Sequence, residues 1–123
     1  MNYLENSPLC LSLGNTPALI ILSFLIAHRN FDYSKTEISR NTGLARQTVY
    51  RGLEPLERFG MIKENRKIGQ TTLYTLDGES EAVEDLIKFN KSIVKLIVNE
   101  GKGQKISKGK MEDFIKELGG MDD

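Results

Sequence analysis

Apolar and polar residues change their period several times along this 123-residue chain, and each change marks an element. Ala18–His28 is apolar nearly all round, which predicts a buried helix. Thr16 and Pro17 open it as N-cap and first-turn proline. Asn30-Phe31-Asp32-Tyr33 breaks the pattern. Ser34-Lys35-Thr36-Glu37 then reads as a capping box, in which the Ser34 hydroxyl and the Glu37 carboxylate serve orphan backbone donors reciprocally. A short helix over 35–41 follows, with Ile38 inward, and Thr42-Gly43-Leu44 makes a tight turn. Val49, Leu53, Leu56 and Phe59 share one face of a longer helix that stops at Gly60. Beyond it the period becomes alternating. Two strands, 61–66 and 71–76, join around Lys67-Ile68-Gly69-Gln70, with Tyr74 and Leu76 on one face. A long helix begins at Glu79 or Ser80 and reaches about Asn99, with acids in its first turn and Lys95 towards its end.

This order sets the expected organisation. Residues 1–15 form an N-terminal extension, 16–77 a helical unit with a β-hairpin, and 78–100 a long helix. Residues 101–123 form a Lys/Gly-rich linker and tail, in which 111–118 has the spacing of a short amphipathic helix. There is no internal repeat. The fold class is mainly α with a small hairpin.

Composition narrows the function classes. A content of 39% hydrophobic and 28% charged residues suits one folded domain rather than a disordered tail. The longest apolar run, Ala18–Ala27, is too short for the ~20 residues that span a bilayer. Met1–Leu13 carries Glu5 and no basic residue, unlike a signal peptide. One Cys and one His build neither a disulfide framework nor a zinc site. Cys10 is expected as a reduced thiol in a cytoplasmic protein. No metal, cofactor or nucleophile elbow is expected, and no enzyme. His28 closes a buried helix, with no partner for a catalytic pair nearby in sequence.

The net charge of zero conceals a strong asymmetry. Residues 34–76 hold eight Lys and Arg against four Glu, a net of +4, whereas 77–100 hold three Lys against six acids, a net of −3. Five of the eight cations in the middle segment are arginines, whose planar guanidinium suits phosphate and base-edge recognition. The order helix, short helix, tight turn, helix, basic hairpin gives that charge a purpose. In a helix-turn-helix one helix braces the DNA backbone while the next enters the major groove.

The stretch "YSKTEISRNTGLARQTVYRGLEPLERFGMIKENRKIGQTTLYTLD" resembles the winged helix-turn-helix of MarR-, ArsR- and TrmB-type regulators. The upstream "SPLCLSLGNTPALIILSFL" is similar to the lead-in of the first helix in small archaeal members, so the resemblance spans roughly 7–98. It implies a transcriptional regulator that binds double-stranded DNA, with helix 45–59 in the major groove and the wing 62–76 on backbone or minor groove. A homodimer on a palindromic site is expected from the two apolar faces of the last helix. The base-reading candidates are Arg46, Gln47, Thr48, Tyr50 and Arg51, since Arg and Gln have bidentate geometry for guanine and adenine. Ser34, Lys35 and Thr36 at a helix start, with Lys63, Arg66, Lys67 and Gln70 on the wing, are the phosphate or wing candidates. Arg58 lies too far along to read bases and suits a phosphate or a pair with Glu54 or Glu57.

Three residues depart from the pattern. Ala45 stands where such regulators usually carry Ser or Thr as N-cap, a loss of about 1 kcal/mol. Gly52 and Pro55 interrupt the third helix, which is expected to kink or split near Glu54. In the last helix Leu86, Phe89, Ile93 and Leu96 have coiled-coil spacing. With Ile97 they are the expected dimer interface, while Val83, Ile87 and Val94 return to the body. Two other readings remain open: a winged-helix module that binds another protein, and an architectural or plasmid-partition DNA-binding protein. Neither the operator, the sign of regulation nor any small-molecule effector is legible.

Overall fold

The computed structural model describes residues 7–102, which run α1 (Pro8–Leu13), α2 (Pro17–Ala27), α3 (Lys35–Thr42), α4 (Arg46–Arg58), β1 (Ile62–Ile68), β2 (Thr71–Leu76) and α5 (Glu81–Lys102). The expected tail falls outside these residues from position 103 onward. No helix among the described residues is long and apolar enough to cross a membrane.

α2 is the central post. Ile20–Ile26 are buried without a break, so the all-round apolar pattern corresponds to all-round contact. Ile21 and Leu25 meet Ile38 of α3, Val49, Leu53 and Leu56 of α4, and Ile62, Tyr74 and Leu76 of the hairpin in one core. Thr16 accepts the Leu19 amide at the start of α2. At α3 both halves of the capping box are made: Glu37 N–H donates to Ser34 Oγ at 3.1 Å, and Ser34 N–H to Glu37 Oε1 at 2.9 Å. Gly43 closes α3 in the left-handed region at φ 78°, where a side chain would clash with the backbone. The Ser39 hydroxyl donates to the Leu44 carbonyl at 2.6 Å and ties the turn.

The segment expected as an N-terminal extension contains α1, which lies against α2 and α5 and buries Leu9 and Cys10. Six residues are too few to show a helical period, but Ser7-Pro8 repeats the opening signal of Thr16-Pro17. The buried Cys10 thiol and the Ser7 hydroxyl both lie by the Ser23 hydroxyl, at 3.7 and 3.2 Å. α4 runs unbroken through Pro55 instead of splitting. Leu53 and Leu56, buried on either side of the proline, anchor both halves. Arg51, whose carbonyl loses its usual donor to Pro55, lies on the exposed face. Phe59, expected inward, sits past the end of α4 and is exposed.

The hairpin is longer than expected, with β1 continuing to Ile68 and a tip at Gly69-Gln70. Its antiparallel register pairs Ile62 with Leu76 and Ile68 with Thr71, and a bulge at Asn65 interrupts it. Tyr33, in the segment that broke the pattern, exchanges two backbone hydrogen bonds with Tyr74, at 2.8 and 2.7 Å, and so acts as a one-residue third strand. The aromatic ring of Phe24 lies 4.8 Å from those of both His28 and Tyr33, so His28 packs under this edge.

Candidate nucleic-acid interface

The first turns of α4 keep one face open. Arg46, Gln47, Tyr50 and Arg51 are exposed and Thr48 is half-buried, while Val49 and Leu53 anchor the opposite face. Ala45 makes no side-chain cap, as expected. Helical spacing divides this set. Arg46 and Tyr50 turn to the wing, Gln47 points outward, and Arg51 lies beside Thr16, Pro17 and Ala18 at the start of α2.

On the wing side lies an open groove of about 280 Å³, lined by Ser34, Lys35 and Thr36 of the α3 start, Arg46 and Tyr50 of α4, and Gln70, Thr71, Thr72 and Tyr74 of the wing. The two helices and the more distant wing thus bring six of the expected residues into one polar concavity. Lys35 Nζ sits 4.5 Å from the Tyr50 ring centre and 5.5 Å from that of Tyr74, which holds the ammonium across the groove. Hydroxyls, an amide, a guanidinium and an ammonium line it without a carboxylate. Such a surface can accept phosphate oxygens and can donate to and accept from base edges. Thr71, Thr72 and Tyr74 were absent from the expected set. Burial along β2 does not alternate strictly, since the neighbours Leu73 and Tyr74 are both buried, so neither the face of these residues nor their partner across the groove was legible.

Some of the basic residues have acidic partners among the described residues. Lys63, Lys67 and Gln70 on the wing are exposed. Arg58 pairs with Glu54 at 3.5 Å and lies over the Phe59 ring, so it has the intramolecular partner expected for it. Arg66 is engaged too. Its Nε and Nη2 donate to the two oxygens of Asp32 at 2.8 and 3.3 Å, and Asn65 Nδ2 adds a third bond at 2.8 Å. The Arg66 guanidinium, then the Asn65 amide, hold the Asp32 carboxyl below its ordinary pKa. Asp32 was not among the expected site residues, because its partners lie 33 and 34 positions away.

The expected dimer seam is divided. Ile93 is only 3% exposed within the single chain, and Leu86 and Ile97 are half-buried. Phe89 and Leu96 stay 38% and 40% exposed on one flank of α5, while Val94 and Val98 are exposed on the other. The helix is rotated so that Val83, Leu86 and Ile93 face inward. A 3-4-3 spacing does not distinguish the two orientations.

Capped α3, the glycine turn, α4 and a hairpin closed by a third strand define a winged helix-turn-helix fold. The sequence matches no protein-family model, and no curated protein closely enough to count as a relative. Among solved structures the chain is similar to that of MepR, a transcription regulator of the Staphylococcus aureus multidrug efflux pump MepA. The TM-score is 0.55 at 18% identity, over 87% of this chain and 76% of that one, a similarity of fold.

Proposed function

We propose that this chain is a sequence-reading double-stranded DNA-binding protein that regulates transcription as a homodimer on a palindromic site. The observation that carries the reading is the polar groove where α3, α4 and the wing converge, beside the exposed face of the first turns of α4. In this reading α4 enters the major groove, with Arg46, Gln47, Thr48, Tyr50 and Arg51 towards base edges. Ser34, Lys35 and Thr36 hold backbone phosphates at the start of α3. Lys63, Lys67 and Gln70 do so from the wing. The two-fold is supported by the apolar flank of Phe89 and Leu96, which an isolated chain leaves in water. No step of this function is catalytic.

The test is an anisotropy titration, over a series of salt concentrations, of the duplex selected by the protein from a random pool, with a scrambled duplex beside it. Arg46→Ala with Arg51→Ala is expected to cost about 2 kcal/mol or more on the selected duplex, roughly 30-fold. It should also flatten the salt dependence. Equal affinity of wild type and variant would remove α4 as the reading helix. Equal affinity for both duplexes would favour an architectural binder, and no binding to either a protein-binding module.

A further inference from the structure

A two-stranded hairpin is marginally stable by itself, so something must set the angle at which the wing leaves the body. Two neighbouring residues of a regular strand point to opposite faces. Asn65 and Arg66 nevertheless both reach Asp32, because the bulge between Glu64 and Arg66 adds a residue to β1 at that point. The carboxylate they meet is nearly covered, with an Asp32 side chain only 11% exposed. The same short segment is tied to β2 as well, through the Tyr33–Tyr74 backbone pair and the Thr75 hydroxyl, which donates to the Phe31 carbonyl at 3.0 Å. Residues 31–33 therefore hold both strands of the wing at its middle.

We propose that Asp32 is a positioning residue, which with Asn65 and Arg66 sets the orientation of the wing against α3 and α4, and that Arg66 serves this clamp rather than a DNA phosphate. The bulge is the device that makes the clamp possible. Its consequence for DNA rests on the function proposed above: a wing released at Asp32 swings Gln70 and Thr72 away from Lys35 and Arg46, and the groove loses one wall. The sign of the effect separates this from simple charge. Asp32→Asn removes an acid from a DNA-binding surface and frees Arg66. Charge alone predicts tighter binding and a salt slope steeper by about 0.9 for one added phosphate contact.

The experiment compares wild type, Asp32→Asn, Arg66→Met and the double variant in two measurements. In the first, without DNA, nitrogen-15 relaxation and amide exchange are read at Lys67–Thr72. The clamp predicts lower order parameters and faster exchange there in all three variants, with α2 and α4 unchanged. A wing as rigid as wild type in Asp32→Asn would overturn the proposal whether or not DNA binds. In the second, affinity for the pool-selected duplex is expected to fall about tenfold in each single variant and no further in the double, with no steeper salt slope. Tighter binding by Asp32→Asn, or losses that add in the double, would overturn it. Failure of the wild type itself to bind a duplex would defeat the DNA reading alone and leave the relaxation result to decide the clamp.

Discussion

Replacing Gly52 by alanine inverts an ordinary expectation. In an exposed helix that change stabilises by about 1 kcal/mol, through lost backbone freedom of glycine in the unfolded chain. Here α4 is pressed onto the start of α2. A Cβ at Gly52 would lie 2.8 Å from Ile21 Cδ1, 3.2 Å from the Pro17 carbonyl carbon and 3.3 Å from the Ala18 nitrogen. Ile21 is fully buried, so its terminal methyl can turn only into occupied space. The two backbone atoms cannot turn at all, and the helices must part by a few tenths of an ångström. Overpacking of this kind costs roughly 1–3 kcal/mol. Set against the propensity gain, a net loss of about 1 kcal/mol is expected, a fall in Tm of roughly 4–8 °C for a domain of this size. Urea unfolding followed by far-UV circular dichroism at fixed protein concentration measures it. Ile21→Val removes the methyl in the way and by itself costs about 0.5–1.5 kcal/mol. Together the two substitutions should cost less than their sum, because they share one site. A Gly52→Ala protein about 1 kcal/mol more stable than wild type would show that α4 does not approach α2 this closely. The place of Arg51 beside the start of α2 would fall with it.

Three further outcomes are expected. Ala45 has φ −64° and ψ 152°, the same values as Ser7, whose hydroxyl caps α1. Ala45→Ser should therefore raise the urea midpoint by the equivalent of about 0.5–1 kcal/mol, and no change would mean that the hydroxyl finds no amide there. Because the Asp32 pKa is lowered by Arg66 and Asn65, the clamp's stabilisation is present above the ordinary carboxylate value of about 3.9 and is lost as pH falls through the lowered one. A carbon-13 titration of the Asp32 carboxyl with its midpoint at or above the ordinary value would remove that pairing. Phe89→Lys with Leu96→Lys should convert a sedimenting dimer to monomer with an unchanged far-UV spectrum, and a dimer that persists would place the two-fold elsewhere.

What could be read in the sequence was local. The capping box at Ser34, the turn at Gly43 and the proline openings depend on residues within four positions of one another. The elements of the helix-turn-helix followed from these signals. Gly52 and Pro55 misled for the same reason, since local propensity reads both as breaks. Gly52 is instead a place where α2 comes close, and buried leucines carry α4 through Pro55. The site was legible as a list of donors at the start of α4 and on the wing. Its division was not, because Arg66 is drawn to an aspartate in another segment and Lys35 is held by two tyrosines, one on α4 and one on β2. The seam expected on α5 mixed inward and outward residues, because apolar residues cover much of its circumference. Only the packing of Val83 and Ile93 reveals which side turns inward.

The most direct test of a major-groove reading helix is a dimethyl sulfate footprint on the duplex selected from a random pool, because the reagent methylates guanine N7 on the major-groove edge. Two α4 helices related by a two-fold should protect two clusters of guanines about 10–10.5 base pairs apart, and Arg46→Ala with Arg51→Ala should abolish the protection. Binding that leaves every major-groove guanine open to the reagent would mean that α4 does not enter the groove.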